Sequence, residues 1–247
     1  MPDKGLFDIH CHIDHSVDDG ASSSQEEYKM LQTEYSQGVR NIIATPHYRL
    51  QMFETPIKTV EHQFLVLTQL ARKVAPDLHV YLGCEFHSNM AMVAMLRRGD
   101  VHTMVGSRYF LTEFSVSTKA SYIRERLYSL LSHGYKPIVA HIERYECMRK
   151  DIGFVEEMAD LGALMQVNAD SIIGKDGFGT KRYCKKLMKQ DLLSFVGSDC
   201  HGTKERISRI GEAYDYVSKK EGDSYANQLF IRNPQKIIAD AQRRKGR

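Results

Sequence analysis

The chain has 247 residues, 42% of them hydrophobic and 26% charged, with a formal charge of +3. That length and balance suit one soluble α/β domain spanning 1–247, and a charge of +3 is too small to argue for a nucleic-acid partner. Cys11, Cys84, Cys147, Cys184 and Cys200 are odd in number and lack C-x-x-C spacing, which argues against a disulfide framework and for a reducing, cytoplasmic compartment. No run approaches the ~18 apolar residues of a bilayer span, and Met1–Gly5 lead into the first strand without an apolar leader, so no membrane insertion is expected.

Short apolar runs alternate with amphipathic segments. Leu6 to His10 reads as a strand and Ser23 to Gln37 as a helix, opened by a capping-box pattern of Ser22 and Ser23 with Glu26 and ended by Gly38. Asn41 to Thr45 is the second strand; Thr59 to Ala75 is a helix with Phe64, Leu67 and Ala71 on one face, stopped by Pro76. Strands follow at Val80 to Glu85, Tyr109 to Glu113, Pro137 to Ala140, Leu164 to Val167 and Leu193 to Ser198. The intervening helices are Ser88 to Arg98, Ser121 to His133, Ile152 to Leu161 and Lys181 to Gln190. Helices finish the chain, broken near Gly222 and Pro234, and the basic run Arg243-Arg244-Lys245-Gly246-Arg247 reads as a frayed, solvated end.

Seven β-α units with buried strands imply a parallel sheet, open or closed. The distribution of chemistry favours closure. His10, His12, Asp19, His47, Glu85, Glu113, His141, Asp199 and His201 fall mostly where an apolar run ends. Only a barrel brings the C-terminal ends of all its strands around one mouth. His10 and His12 are two apart at a strand end, so both face one side while Cys11 faces the other; Asp199 and His201 repeat this around Cys200. A single histidine is more often a satisfied core residue, but four beside carboxylates at strand ends are not. Glu85 and Glu113, ending apolar strands, would be buried unpaired at a cost of several kcal/mol without a cation. His15, His62, His79, His87, His102 and His133 read as surface residues.

Asp8-Ile9-His10-Cys11-His12, Asp18-Asp19-Gly20, Thr45-Pro46-His47-Tyr48, Glu85, Glu113, Ala140-His141-Ile142-Glu143-Arg144-Tyr145 and Gly197-Ser198-Asp199-Cys200-His201 resemble the polymerase-and-histidinol-phosphatase (PHP) superfamily. Within it they look like the bacterial manganese-dependent protein-tyrosine phosphatases of capsule and exopolysaccharide clusters, over about Leu6 to Arg206. The resemblance implies a distorted (β/α)7 TIM-like barrel holding three metals, manganese by expectation, with iron or zinc also compatible with histidine and carboxylate. It implies Asp19 as the ligand, with Asp18 as fallback, and Arg144 and Arg206 at the phosphate. Such a site would cleave phosphotyrosine by attack of a metal-bridging hydroxide. The implied substrate is the tyrosine-rich tail of a bacterial tyrosine kinase. His15-Ser16-Val17 depart from the pattern, where relatives often carry proline. A small-molecule phosphatase such as histidinol-phosphatase, or a PHP-type phosphodiesterase or nuclease, would use the same metals.

Other readings stay open on the residues alone. Arg144 could pair with Glu143 or Glu146, Arg206 could begin a solvated helix, and Tyr48 and Phe53 could flank an aromatic phosphoester or simply pack. Cys200 to Arg206 matches C-x5-R, the signature of cysteine-dependent tyrosine phosphatases. Strand alternation turns Cys200 away from the ligands, so the match reads as chance and Cys200 as a core thiol.

Overall fold

The computed structural model describes residues 5–246. Met1–Lys4, where no apolar leader is expected, and the terminal Arg247 lie outside the described residues. In chain order the strands are β1 (Leu6–Cys11), β2 (Val39–Ala44), β3 (His47–Tyr48), β4 (His79–Leu82), β5 (Glu85–His87), β6 (Tyr109–Glu113), β7 (Lys136–Val139), β8 (Leu164–Asn168) and β9 (Phe195–Gly197). The α-helices are α1 (Ser24–Ser36), α2 (Ile57–Val74), α3 (Met92–Arg98), α4 (Ala120–Ser132), α5 (Glu146–Lys150), α6 (Ile152–Asp160), α7 (Ala169–Ile173), α8 (Phe178–Lys189), α9 (Ile210–Glu221), α10 (Asp223–Asn227) and α11 (Asn233–Lys245).

All strand pairs are parallel, in sheets of order β1-β2-β4 and β3-β5-β6-β7-β8-β9. The two sheets are one curled surface. The chain passes from β2 to β3 across Pro46 and from β4 to β5 across Gly83, and pairing survives both kinks: Gly83 N donates to Ala44 O at 2.7 Å and Glu85 N to Pro46 O at 3.1 Å. The outer edges meet where Asp199 N donates to His10 O at 2.7 Å and His12 N to Cys200 O at 2.9 Å. The result is the expected distorted (β/α)7 barrel, with the distortion at the two kinks. The segment Val80 to Glu85 is therefore two short strands rather than one. Pro46 supplies no ladder donor, and a Cβ on Gly83 would lie 2.8 Å from Met104 Sδ.

The interior below the mouth is apolar. Phe7, Ile9, Ile43, Leu111, Ile138 and Phe195 fill it, and Ile237 of α11 closes its lower end. Leu6, Cys11, Leu31, Ile42 and Leu67 belong instead to the layer between strands and helices. β1 changes parity in passing from one environment to the next, because its register against β2 shifts between Asp8 and Cys11. That irregularity lets His10 and His12 face inward above Ile9 while Cys11 faces out, the re-aiming a bulge provides.

Local signals explain most boundaries. Ser23 Oγ accepts from Glu26 N at 3.3 Å, one half of a capping box, while the Glu26 carboxylate reaches one residue further back and accepts from Ser22 N at 3.1 Å. The third expected helix starts at Met92 rather than Ser88, since Asn89 Oδ1 accepts from Ala91 N at 2.8 Å and holds a turn there. Gly222, at φ 93°, does separate α9 from α10. Pro234 breaks nothing, because it sits in the first turn of α11, where no donor is needed, after a π-helical Gln228–Arg232. Arg243, Arg244 and Lys245 are exposed but form the last turn of α11 rather than a frayed end. No described helix is long and apolar enough to cross a membrane.

Candidate metal centre at the barrel mouth

Strand ends deliver the donors. β1 brings His10 and His12, β3 His47, β5 Glu85, β6 Glu113, the turn after β7 His141, and the loop after β9 Asp199 and His201. Glu85 lies at the centre, with no solvent exposure. Its Oε2 is 3.0 Å from His10 Nε2, 3.1 Å from His12 Nε2 and 3.2 Å from His47 Nδ1, and its Oε1 is 2.8 Å from His141 Nε2. Glu113 reaches His47 Nδ1 at 3.7 Å and His141 Nε2 at 3.8 Å. Asp199 Oδ1 is 3.7 Å from His10 Nε2 and 3.6 Å from His12 Nε2. Asp19 Oδ1 lies 3.5 Å from His201 Nε2 and 3.6 Å from His47 Nε2.

All nine residues singled out from the sequence thus come together. Eight of them form three overlapping groups whose donor atoms lie within 4.8 Å of one another: His12, Asp19, His47 and His201; His10, His12, Glu85 and Asp199; and His47, Glu85 and Glu113. The ninth, His141, joins through Glu85. The donor set is imidazole and carboxylate, which suits borderline and hard divalent cations. Three buried atoms in it, His47 Nδ1, Glu85 Oε2 and His201 Nε2, make no hydrogen bond, as atoms reserved for another partner would.

Electrostatics carries the same message. Burial and the neighbouring Glu85 charge push Glu113 up to about 8, while burial and the His12 charge push His47 down to about 4. Burial would raise Glu85 too, but contacts with His10, His12 and His141 outweigh it and hold Glu85 well below the usual carboxylate range. So many like groups in one buried volume are mutually costly, and cations between them would relieve that cost.

Backbone detail serves the cluster. A Cβ on Gly197 would fall 2.5 Å from His10 Cβ, and one on Gly20 would fall 2.1 Å from His12 O, so only glycine allows these approaches. His141, Asp199 and Arg206 hold φ of 33°, 54° and 47°, each costing roughly 1–3 kcal/mol for a non-glycine residue. Strain of this kind concentrates at functional sites.

Both arginines lie beside the donors. Arg144 Nη2 is 2.8 Å from Asp199 Oδ2, and Arg206 Nη2 is 2.8 Å from Asp199 Oδ1. Arg144 therefore pairs with neither Glu143 nor Glu146. Glu143 accepts instead from Asn168 N and Ser171 Oγ, each at 2.8 Å, and Glu146 pairs with Lys150. Arg206 begins no helix, since α9 starts at Ile210; the bond from His201 N to Arg206 O, 2.9 Å, folds its loop back onto the site. A cavity of about 300 Å³ beside the donors is lined by Arg49, His87, Glu113, Ser115, Val116 and Arg144.

Some participants escaped sequence reasoning. Gln166 Oε1 lies 3.2 Å from His10 Nδ1 and accepts from His141 N at 2.7 Å, and Asn168 Nδ2 donates to Asp199 Oδ2 at 2.9 Å. Their signal was present: two amides at i, i+2 in an apolar strand, the spacing that drew attention to His10 and His12. Asp18 is not the fallback partner of His201 and His47. Its Oδ2 sits on His12 Nδ1 instead, at 2.7 Å, and accepts from His47 N at 2.9 Å. His87 is half-buried on the cavity wall, with Nε2 3.1 Å from Ser115 Oγ, and His15 and His102 are also half-buried; only His62, His79 and His133 are exposed.

A parallel barrel whose mouth gathers five histidines and four carboxylates defines the class, a distorted TIM-like barrel of the PHP kind. The particular family follows from comparison with known proteins: the chain belongs to the CpsB/CapC family of capsular polysaccharide synthesis, whose sequence model matches residues 6–239. Tyrosine-protein phosphatase CpsB of Streptococcus pneumoniae is 37% identical over 240 residues, 95% of this chain and 99% of that one. Tyrosine-protein phosphatase YwqE of Bacillus subtilis is 30% identical over 233 residues, covering 94% and 91%. A solved structure from work on YwqE and CpsB, described as unique metal-dependent tyrosine phosphatases, superposes with a TM-score of 0.84 at 28% identity, covering 96% of this chain and 92% of that one. The phosphotriesterase homology protein of Escherichia coli, at a TM-score of 0.61 and 15% identity, shares the fold.

Proposed function

We propose that this chain is a metal-dependent protein-tyrosine phosphatase. The observation that carries the reading is three overlapping donor groups at the mouth with two guanidinium groups beside them. His10, His12, Asp19, His47, Glu85, Glu113, His141, Asp199 and His201 would hold the ions, and the number of groups supports three. Manganese fits the nitrogen and oxygen donors, as iron or zinc also would. When bound, such ions supply an activated water and neutralise charge on the phosphoryl group.

The chain's own residues supply the rest. Asp18 fixes the tautomer of His12, and Gln166 orients His10. Arg144 and Arg206, anchored on either oxygen of Asp199, present planar forks toward the mouth and are placed to grip phosphoryl oxygens. The apolar interior beneath the donors keeps bulk water to the mouth side. The adjoining cavity of about 300 Å³ lies at the low end of the range for sites that take a side-chain-sized ligand.

On the same reading, the substrate is a phosphotyrosine protein, the tail of a bacterial tyrosine kinase, and the place of action is the cytoplasm. Five free thiols accord with a reducing compartment. The test is hydrolysis of a phosphotyrosine peptide, the matching phosphoserine peptide, histidinol phosphate and single-stranded DNA by the manganese-loaded enzyme. A dominant rate on phosphotyrosine is expected. Dominance of histidinol phosphate or DNA would replace the reading with the small-molecule or nuclease one.

A further inference from the structure

Behind the catalytic cluster, on the outer face of the seam between β1 and β9, lies a second set of ligand-type side chains. Asp8, Glu34 and Cys200 are fully buried, and one donor atom from each lies within 4.8 Å of the others. Cys200 Sγ is 3.8 Å from Glu34 Oε1. Cys11, also fully buried, pairs with Cys200 through a backbone β-bridge across the seam, and the two free thiols are neighbours.

The polar accounting of this pocket does not close. Asp8 is satisfied by Ser198 Oγ at 2.5 Å, Ser198 N at 3.0 Å and His10 N at 3.2 Å. Glu34 is only half satisfied: its Oε1 accepts from Cys200 Sγ, its Oε2 makes no hydrogen bond, and its nearest polar neighbours are Ser208 Oγ, itself without a bond, and the Asp8 carboxyl, a like group. Glu34 projects from the last turn of α1 into a fully buried volume that it shares with Asp8, Ser208 and the thiols. A buried, unmatched carboxyl costs several kcal/mol. A helix position facing the core could have taken leucine at no such cost.

We propose that Asp8, Glu34 and Cys200, with Cys11 adjoining, form a second divalent-cation site, structural in role and thiophilic in character, suited to zinc. Asp8, Glu34 and Cys200 supply three donors within 4.8 Å of one another, and the Cys11 thiol, which lies 3.7 Å from Ile43 O, would complete four by turning toward them; zinc binds both carboxylate oxygen and thiolate sulfur. The parity change in β1 and alternation around Cys200 keep it separate from the catalytic donors: His10, His12, Asp199 and His201 face the mouth, while Asp8, Cys11 and Cys200 face α1. The cation ties α1 to the strand seam that carries four catalytic donors, so it braces them from behind without touching substrate. This site does not depend on the reaction proposed above.

Sulfur separates the two sites experimentally, because the catalytic donors are all nitrogen and oxygen. The unaltered protein, stripped and reloaded with Co²⁺, should show an intense thiolate-to-cobalt charge-transfer band in the near ultraviolet, displaced by Zn²⁺. Cys147→Ser, which removes a half-buried thiol elsewhere, should keep the band. Cys200→Ser and Cys11→Ser should each diminish it. Glu34→Gln should retain one equivalent less of zinc than the parent after exhaustive dialysis, and the zinc-dependent part of its thermal midpoint should vanish. No sulfur band in the cobalt-loaded parent, or equal zinc in Glu34→Gln and parent, would mean that protons alone neutralise the pocket and would overturn the assignment. The cobalt measurement needs no variant, so it decides the matter whether or not the substitutions fold.

Discussion

Asp18 Oδ2 lies 2.7 Å from His12 Nδ1, which leaves Nε2 as the ring nitrogen free to face the donor cluster. The adjacent Asp19 reaches the cluster directly, 3.5 Å from His201 Nε2. Two neighbouring aspartates thus have different work. Carboxylates that orient a ligand histidine are worth about 10–100-fold in metal affinity. Asp18→Asn should therefore weaken metal binding by roughly that factor yet recover activity in excess manganese. Asp19→Ala should lose activity that excess metal does not restore. Metal titration with parallel activity measurements separates the two, and equal behaviour of the variants would contradict the division of roles.

Arg144 and Arg206 share one carboxylate, Asp199, and both side chains are about two-fifths exposed, 40% and 44%. Their shared partner Asp199 is buried, but lysine at either position keeps a positive charge beside it, so the fold should lose little. Loss of a positioned donor to developing phosphoryl charge costs on the order of 10²–10³ in turnover. Arg144→Lys and Arg206→Lys should each lower kcat/KM by about that range while the thermal midpoint moves by no more than a few degrees. A variant that melts early but turns over normally would make its arginine a fold element instead.

Glu27, on α1 and outside the donor cluster, carries a pH dependence of its own. It is fully buried, bonded on one oxygen to His15 Nδ1 and unmatched on the other, beside Asp14, whose two oxygens have no hydrogen bond at all. Burial pushes the Glu27 carboxyl up to about 8 from an ordinary 4.5. Between those values the folded chain holds a proton that the unfolded chain has released. The contribution is complete below pH 4.5 and is lost as pH rises through about 8. Glu27→Gln cannot titrate, so its thermal midpoint should gain on the parent steadily across that interval. A constant difference from acid to alkaline pH would show that Glu27 ionises normally.

The sequence was most legible where chemistry and periodicity coincided. Donors at strand ends implied convergence, and convergence implied closure, so the barrel and its nine donors could both be reached. It was least legible where one residue reads the same under two geometries. Nothing in Val80 to Glu85 shows that Gly83 turns the strand, because the reason is Met104 packed against it from a distant segment. The parity change in β1 is equally hidden: alternation alone sets His10 opposite Ile9, and only pairing with β2 puts both inside. Gln166 and Asn168 were passed over because amides lack the charge that made Glu85 conspicuous, although their spacing was the same.

Selectivity should favour aryl over alkyl phosphates. A tyrosine phenolate has a conjugate-acid pKa of about 10, far below that of a serine alkoxide, so it departs with little protonation. The carboxyl groups of the donor motifs are committed. Glu85, Glu113, Asp19 and Asp199 lie among the donors, Asp18 holds His12, and Glu143 is buried against Asn168 and Ser171, which removes it as a proton source for the leaving group. Those motifs offer metal-type assistance without a dedicated acid among their own carboxylates. The two aromatic residues of the β3 loop then diverge. Phe53 stacks on His47 with ring centres 5.2 Å apart, at the edge of the donor cluster, whereas Tyr48 stacks on Phe86, also at 5.2 Å, in a packing cluster with Met95 and Phe110. Phe53→Ala should raise KM for a phosphotyrosine peptide several-fold with a small change in midpoint, while Tyr48→Ala should lower the midpoint and leave KM near that of the parent. Phosphotyrosine peptides should be cleaved much faster than phosphoserine peptides of identical sequence. Equal rates on the two peptides would require an acid that none of these carboxylates supplies, and would remove the leaving-group argument for tyrosine.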